Sequence, residues 1–348
     1  MTKFKNMKVL KYVFLLLLLI IIAGSIYIAT LEKTYDISRT KVIKAPVQVL
    51  FSQVDDYNKR AGWSPWIEKE PEATYTYSKK TEGKGSSFSW KGEVLGEGNL
   101  ETVETYLLDS IHRRIKFIKP FESESDIYWK FKPVDGGTEV TWGMKGELGF
   151  MSRAYMAFNG GMEKQVAPDY ERGLFKLDSV AQVNMKKYSV QVDGITIHGG
   201  GYYLYNTVSC KIDELPAKMQ EMMPLVRAYA QKNNIQLAGA PFTIYHTFDE
   251  ENNAVIFSCA VPVAERIITE SGSGILTGML KPFKAIKTTL KGNYINSKEA
   301  WETTYNYLGE NNLEQAEGSA AIEVYVTDPM QTPNPADWIT EIFVPVNE

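Results

Sequence analysis

Cysteine and histidine are scarce: two and three residues among 348. Two cysteines cannot build a disulfide scaffold. Cys210 and Cys259 read as buried thiols that would pair only in an oxidising compartment and at close range. His112, His198 and His246 show no ligand spacing, so no metal is expected, and nothing points to another cofactor. An excess of positive charge is also missing. With 38 Lys plus Arg against 42 Asp plus Glu the formal net charge is −4, which argues against a nucleic-acid partner. The stretches 270–278 (ESGSGILTG) and 83–90 (GKGSSFSW) lack the Lys-Ser/Thr of a P-loop, and the first reads as a flexible linker. No nucleophile elbow or Cys–His pair stands out. Ordinary fractions of hydrophobic (44%) and charged (23%) residues exclude a disordered, collagen-like or polytopic membrane chain.

One long apolar run is present. Residues 12–31 read YVFLLLLLIIIAGSIYIATL and carry no charge. About 20 such residues cross a hydrocarbon core of roughly 30 Å. Lys3, Lys5, Lys8 and Lys11 precede the run, whereas Glu32 and Lys33 follow it. The positive-inside rule then predicts a cytoplasmic tail at 1–11, a single span at 12–31, and the remainder outside a bacterial cytoplasmic membrane. A cleaved signal peptide is the alternative. Its apolar region is normally about 7–15 residues with an A-x-A-like exit, which this run lacks.

Two soluble segments follow, with a break near 183–189. In the first, 34–183, Ile37–Val42 reads as a strand and Ala45-Pro46 opens a helix with the stripe Val47, Leu50, Phe51 and Val54. Strands are expected over 85–94, 98–107, 111–117, 125–133 and 138–148, with Asp135-Gly136-Gly137 as a turn. A helix closes the segment over 161–183. Met162, Val166, Tyr170, Leu174, Leu177 and Val180 share one face, and Pro168 predicts a kink or restart. Trp63, Trp66, Trp90, Trp129 and Trp142 are dense here. Trp90 and Trp129, on strands, are candidates to line a cavity. Glu93, Glu97, Glu101 and Glu104 read as a solvated face.

This segment resembles the SRPBCC superfamily, the START-like helix-grip fold, in its polyketide cyclase/dehydrase-like branch. The resemblance rests on Lys44-Ala45-Pro46, Val49–Phe51, Trp63-Ser64-Pro65-Trp66 and Tyr170-Glu171-Arg172-Gly173-Leu174. It implies an antiparallel sheet wrapped around the C-terminal helix and an apolar cavity for lipids, polyketides or similar molecules.

The second segment, 188–348, contains a repeat, at about 188–265 and 278–348. Tyr229–Ile235 (YAQKNNI) corresponds to Tyr307–Leu313 (YLGENNL). A strand follows each, Phe242–Thr247 and Ile322–Thr327, then an acid, Asp249 and Asp328, and finally Val-Pro-Val at 261–263 and 344–346. Each half reads as strand, helix, hairpin, and the two would pair across a pseudo-twofold. The arrangement resembles the GyrI-like domain, the effector-binding domain of AraC-type and MerR-type regulators. The matching residues are Lys284-Ala285-Ile286, Gly292-Asn293-Tyr294, Trp301, Glu323, Tyr325, Thr340-Glu341-Ile342 and Val344-Pro345-Val346. In that family the domain binds apolar, often cationic molecules, and some stand-alone members hydrolyse reactive small molecules. No DNA-binding region accompanies it here. The expected class is therefore α+β: a transmembrane helix, a helix-grip domain and a duplicated GyrI-like domain.

Strand alternation puts Ala321, Glu323, Tyr325 and Thr327 toward the cleft, and Ile322, Val324 and Val326 toward the helices. Thr243 and Tyr245 hold the matching face of the first repeat. A carboxylate among aromatic rings selects a cation, or serves as general base once burial raises its pKa. Tyr294 is a candidate at the cleft rim and Trp301 in the helix beside it. The sequence thus predicts a membrane-anchored binder of apolar, lipid-like or cationic amphiphiles that sequesters, senses or transfers them. The alternative is a hydrolase or cyclase with Glu323 as base and Tyr325 or Tyr245 as hydrogen-bond donor. A protein partner is not identified.

Overall fold

The computed structural model describes residues 2–120 and 122–347. The chain divides into two compact units, Met1–Gln182 and Val183–Glu348.

The first unit begins with helix α1, Thr2–Thr30. Its part Leu10–Thr30 is long and apolar enough to cross a membrane. Helix therefore includes the segment expected as a separate tail. The side chains of Lys3, Lys5 and Lys8, which carried the orientation argument, lie outside the described residues.

Next come β1 (Thr34–Ile43), α2 (Val47–Asp55), a short 3-10 helix (Tyr57–Gly62), α3 (Pro65–Lys69), β2 (Thr74–Tyr77), β3 (Ser87–Lys91), β4 (Glu97–Tyr106), β5 (Ser110–Lys119), β6 (Ser123–Val134), β7 (Gly137–Glu147), α4 (Phe150–Asn159) and α5 (Gly161–Met185). The sequence reading did not anticipate β2 or α4. The strands form one antiparallel sheet in the order β1-β7-β6-β5-β4-β3-β2. Period-two burial explains the sheet. In β6, Ser125, Ile127, Trp129 and Phe131 point inward, and in β7 Thr138, Val140, Trp142 and Met144 do so. The buried stripe of α5, Ala167, Tyr170, Gly173, Leu174, Leu177 and Ala181, has helical spacing. No restart occurs at Pro168, which sits inside α5. The break falls earlier, at Gly160, whose φ of 84° ends α4 in the left-handed region.

The second unit holds β8 (Ser189–His198), β9 (Gly201–Cys210), α6 (Leu215–Lys232), β10 (Phe242–Asp249), β11 (Ala254–Val263), β12 (Leu276–Leu280), β13 (Phe283–Lys291), α7 (Ser297–Glu310), β14 (Ala321–Tyr325) and β15 (Ile339–Pro345). Both halves run strand, helix, hairpin, and β10 pairs with β14 at the centre of an eight-stranded antiparallel sheet. The helix ends repeat in detail. Asn233 and Asn311 each donate to a carbonyl four residues back, Tyr229 and Tyr307, at 2.9 and 2.8 Å. Asn234 and Asn312 then turn left-handed, with φ of 54° and 52°. The sheet edges are exchanged: β8 precedes the first half but pairs with β13, and β12 precedes the second but pairs with β9. Only Gly199-Gly200 joins β8 to β9, and only Lys281-Pro282 joins β12 to β13. The sheet must therefore curl until its ends meet. At Gly200, φ is 69° and an added Cβ would stand 2.4 Å from the Leu280 carbonyl oxygen, so only glycine fits.

Curling corrects three expectations. Residues 270–278 are not all linker, since Ile275 is core and Leu276–Leu280 is a strand. Ile322 and Val324 do not face the helices. They pack inside the curl with Phe242, Ile244, Ala260, Ala285 and Phe343. Val326, beyond β14, is exposed. Cys259 is the buried thiol expected, whereas Cys210 is only half-buried, and both are free. Cys210 lies opposite Val255, four residues from Cys259. At about 3.3 Å per strand residue that is roughly 13 Å, beyond disulfide reach.

Candidate functional site

On the helix-bearing face, register aligns one row across both halves: Asn206, Cys259, Thr243, Glu323, Ile342 and Thr288, all buried. Each end of the row touches a helix. Asn206 Nδ2 donates to the Met222 carbonyl of α6 at 3.1 Å, and Thr288 Oγ1 lies 2.8 Å from Thr304 Oγ1 of α7. Thr243 and Glu323 face each other at the pseudo-twofold. The hydroxyl of Tyr245 donates to Glu323 Oε2 at 2.8 Å, and the hydroxyls of Tyr325 and Thr243 are 3.0 Å apart. These two diagonal contacts are counterparts across the pseudo-twofold.

Glu323 is only 3% exposed. Besides Tyr245, Ser297 donates to Oε1 at 3.0 Å, and the Trp301 indole N–H makes a long contact of 3.5 Å with Oε2. Burial pushes the Glu323 pKa above the usual carboxylate range, against the pull of hydrogen bonds from Tyr245, Ser297 and Trp301. Burial, then the charge of Glu323, raises both Tyr245 and Tyr325 well above the usual phenol value. Tyr294 is pushed up to about 12 by burial, followed by the charges of Glu323 and Asp328. Four aromatic residues, each partly exposed, ring the carboxylate. Trp301 stands edge-on to Tyr245 at 5.3 Å, and Tyr294 edge-on to Tyr325 at 5.5 Å. Trp338 stacks on Tyr294 at 4.7 Å and Tyr305 on Trp301 at 6.2 Å.

The structure thus brings together Glu323, Tyr325, Tyr245, Thr243, Tyr294 and Trp301. Sequence reasoning missed Ser297, at the start of α7, and Trp338, which lies in a β14–β15 connection much longer than its counterpart between β10 and β11. A carboxylate has about four acceptor positions, of which three are engaged here. The group can accept one more charge-assisted bond, hold a lipophilic cation or, with its raised pKa, take a proton. Among the described residues no cluster of three or more His, Cys, Asp or Glu could hold a metal.

Trp90 and Trp129 lie far along the chain from these residues, in the first unit. Both line a cavity of about 380 Å³ between the sheet and α5. Trp129, Trp142 and Tyr170 form a continuous stack, with ring centroids 4.3 and 4.2 Å apart. Trp63 and Trp66 meet Trp142 edge-on at 5.7 and 5.4 Å. Two residues that sequence reading passed over, Arg60 and Arg113, also line this cavity. Arg60 lies in a short 3-10 helix without periodicity, whereas Arg113 shares the alternating face of Ile111, Ile115 and Phe117 on a predicted strand, a signal that sequence reading could have used.

Residues 34–182 match the family described as polyketide cyclase / dehydrase and lipid transport. Residues 202–347 match the GyrI-like small molecule binding domain. No curated protein matches the chain. Similar solved structures include the EcmrR C-terminal domain, 15% identical over 46% of this chain and 98% of that one, TM-score 0.40. A Staphylococcus aureus protein of unknown function, SA2116, is 11% identical over 43% and 95%, TM-score 0.35. SAV2435 bound to tetraphenylphosphonium is 13% identical over 46% and 94%, TM-score 0.31. The chain is accordingly a START-like domain of the polyketide cyclase/dehydrase family followed by a GyrI-like small-molecule-binding domain, behind an N-terminal apolar helix.

Proposed function

We propose that this protein is a membrane-anchored small-molecule binder whose GyrI-like domain takes an apolar cation over Glu323. One observation carries the reading: a buried carboxylate ringed by Tyr245, Tyr294, Trp301 and Tyr325, with hydroxyl and indole donors as partners and no cationic side chain paired to it among the described residues. Coulomb attraction strengthens as the effective dielectric falls. Each aromatic face adds about 0.5–2 kcal/mol of cation–π attraction. The raised carboxyl pKa favours a second reading, general-base catalysis on a reactive small molecule, which would be lost in Glu323→Gln.

The test is titration of the full chain in nanodiscs with tetraphenylphosphonium, one delocalised cation inside four phenyl faces. Native protein binds it, and Glu323→Gln weakens binding by about tenfold or more. Equal affinity in both proteins removes this site from the account.

Anchoring has its own support. Arg153 of α4 donates to the Ile28, Ala29 and Leu31 carbonyls at 3.1–3.2 Å, closing the C-terminal end of α1. Beside that end α4 exposes Phe150, Met151, Tyr155 and Phe158, the last 86% exposed. This is the face an interfacial helix gives to the headgroup boundary. By the lysine asymmetry the N-terminus is inside and both domains outside a bacterial cytoplasmic membrane. Phe158→Trp in nanodiscs should add tryptophan emission that brominated lipids quench. No added quenching would contradict this placement of α4.

A further inference from the structure

The START-like cavity holds two guanidinium groups that no carboxylate among the described residues pairs with. Arg60 is 6% exposed and Arg113 1% exposed, and both line it. The Arg60 guanidinium lies over Phe88 at 4.4 Å, and farther from Trp66 and Trp63 at 5.5 and 5.8 Å. It makes no side-chain hydrogen bond or ion pair among the described residues, and its Nε is buried without a partner. Arg113 lies over Tyr57 at 4.3 Å. Its Nη2 donates to the carbonyls of Val54 and Asp55 at 2.5 and 3.2 Å, while its Nε is also buried without a partner.

Nearby acids are engaged elsewhere. Asp169 on the cavity wall is held by Lys69 at 2.6 Å. Asp55, off the wall, accepts from the Gly83 N–H through Oδ2 at 3.1 Å, leaves Oδ1 buried without a partner, and pairs with neither guanidinium. Burial, then the like charge of Arg113, pushes the Arg60 pKa down to about 10, so the side chain remains a cation at neutral pH. Two further polar atoms on cavity-lining residues lack partners, the Trp142 indole N–H and the Tyr170 hydroxyl. All four groups can donate. Trp63 and Trp90, by contrast, spend their indole N–H on the Gln53 and Leu95 carbonyls at 3.0 and 3.2 Å. Lys69, Gln165 and Tyr75 add polar groups to the wall, and most of the remainder is apolar, with Leu100, Ile115, Phe117, Ile127 and Met144.

An unpaired buried guanidinium is costly, and rings offset only part of that cost. An oxyanion that presents two oxygens side by side, a carboxylate or a phosphate, is the group that satisfies its fork of donors. We propose that this cavity binds an anionic amphiphile, a single-chain carboxylate or phosphate whose headgroup pairs with Arg60 and whose apolar body lies along the Trp129–Trp142–Tyr170 stack. A volume of about 380 Å³ falls within the roughly 300–1,000 Å³ of small-molecule pockets. The ligand is opposite in charge to the one proposed over Glu323, and the two sites stand independently.

The full chain in nanodiscs, titrated with dodecanoate, dodecyl phosphate and neutral dodecanol, tests this by tryptophan emission. Native protein should prefer at least one of the two anions over dodecanol by about tenfold or more. Arg60→Met should reduce that preference to about twofold or less, and Arg60→Lys should restore part of it. Glu323→Gln should leave it intact. Which anion binds more tightly identifies the headgroup. Equal affinity for dodecanol and both anions in the native protein overturns the proposal, as does an undiminished preference in folded Arg60→Met. Should Arg60→Met not fold, the native comparison and the Arg60→Lys series decide.

Discussion

At the scale of single residues, Glu323 is the group whose chemistry depends most on its surroundings. Its pKa is raised in the ligand-free protein, and a bound cation would draw it down. Binding then releases a proton between the two values. Affinity for tetraphenylphosphonium should therefore rise with pH between the cation-bound pKa and the raised ligand-free pKa, then level off above the latter. Linkage to folding runs the other way. The native state holds more proton on Glu323 than the unfolded chain does, so this group favours folding on the acid side and the contribution is lost as pH rises. Isothermal titration across pH checks the binding arm, and a flat profile in native protein would contradict it. Period-two alternation was enough to group Glu323 with Tyr325, and the repeat matched them to Thr243 and Tyr245. It could not show which face carries the helices. That depends on the exchanged edges β8 and β12, whose partners are remote in sequence.

Among the elements, α5 shows how closely helix and sheet must approach to frame the cavity. A Cβ on Gly173 would fall 2.5 Å from a ring carbon of Trp142 and 3.2 Å from Pro65 Cδ. Gly173→Ala should cost about 1–3 kcal/mol by overpacking and disturb the stacked tryptophans. Thermal unfolding and near-ultraviolet dichroism check this, and unchanged values in both would contradict the close approach. The run Tyr170-Glu171-Arg172-Gly173-Leu174 was visible in the sequence as part of the family resemblance, and the contact supplies its physical reason. Helix α5 was legible from its apolar spacing. Helix α4 was not anticipated, although Phe150, Met151, Ala154, Tyr155 and Phe158 have helical spacing; its length is under three turns and its one buried side chain is Arg153. The four-residue strand β2 was too short to show periodicity.

For the whole molecule, the account joins two sites of opposite polarity on one chain behind one apolar helix. The first pairs a buried carboxylate with aromatic rings, and the second pairs buried guanidinium groups with aromatic rings. The first could be read from sequence, and of the second only the apolar wall at Trp90 and Trp129. A carboxylate on an alternating strand announces its face, whereas Arg60 sits in a 3-10 turn without periodicity, capped by Asp56 accepting from the Asn58 N–H at 3.0 Å. The most direct measurement is a crossed titration of native protein, Glu323→Gln and Arg60→Met with tetraphenylphosphonium and with whichever of dodecanoate and dodecyl phosphate the native protein binds more tightly. Glu323→Gln should lose the cation and keep the anion, and Arg60→Met should do the reverse. Parallel loss of both ligands in either folded variant, or loss of neither, would contradict it.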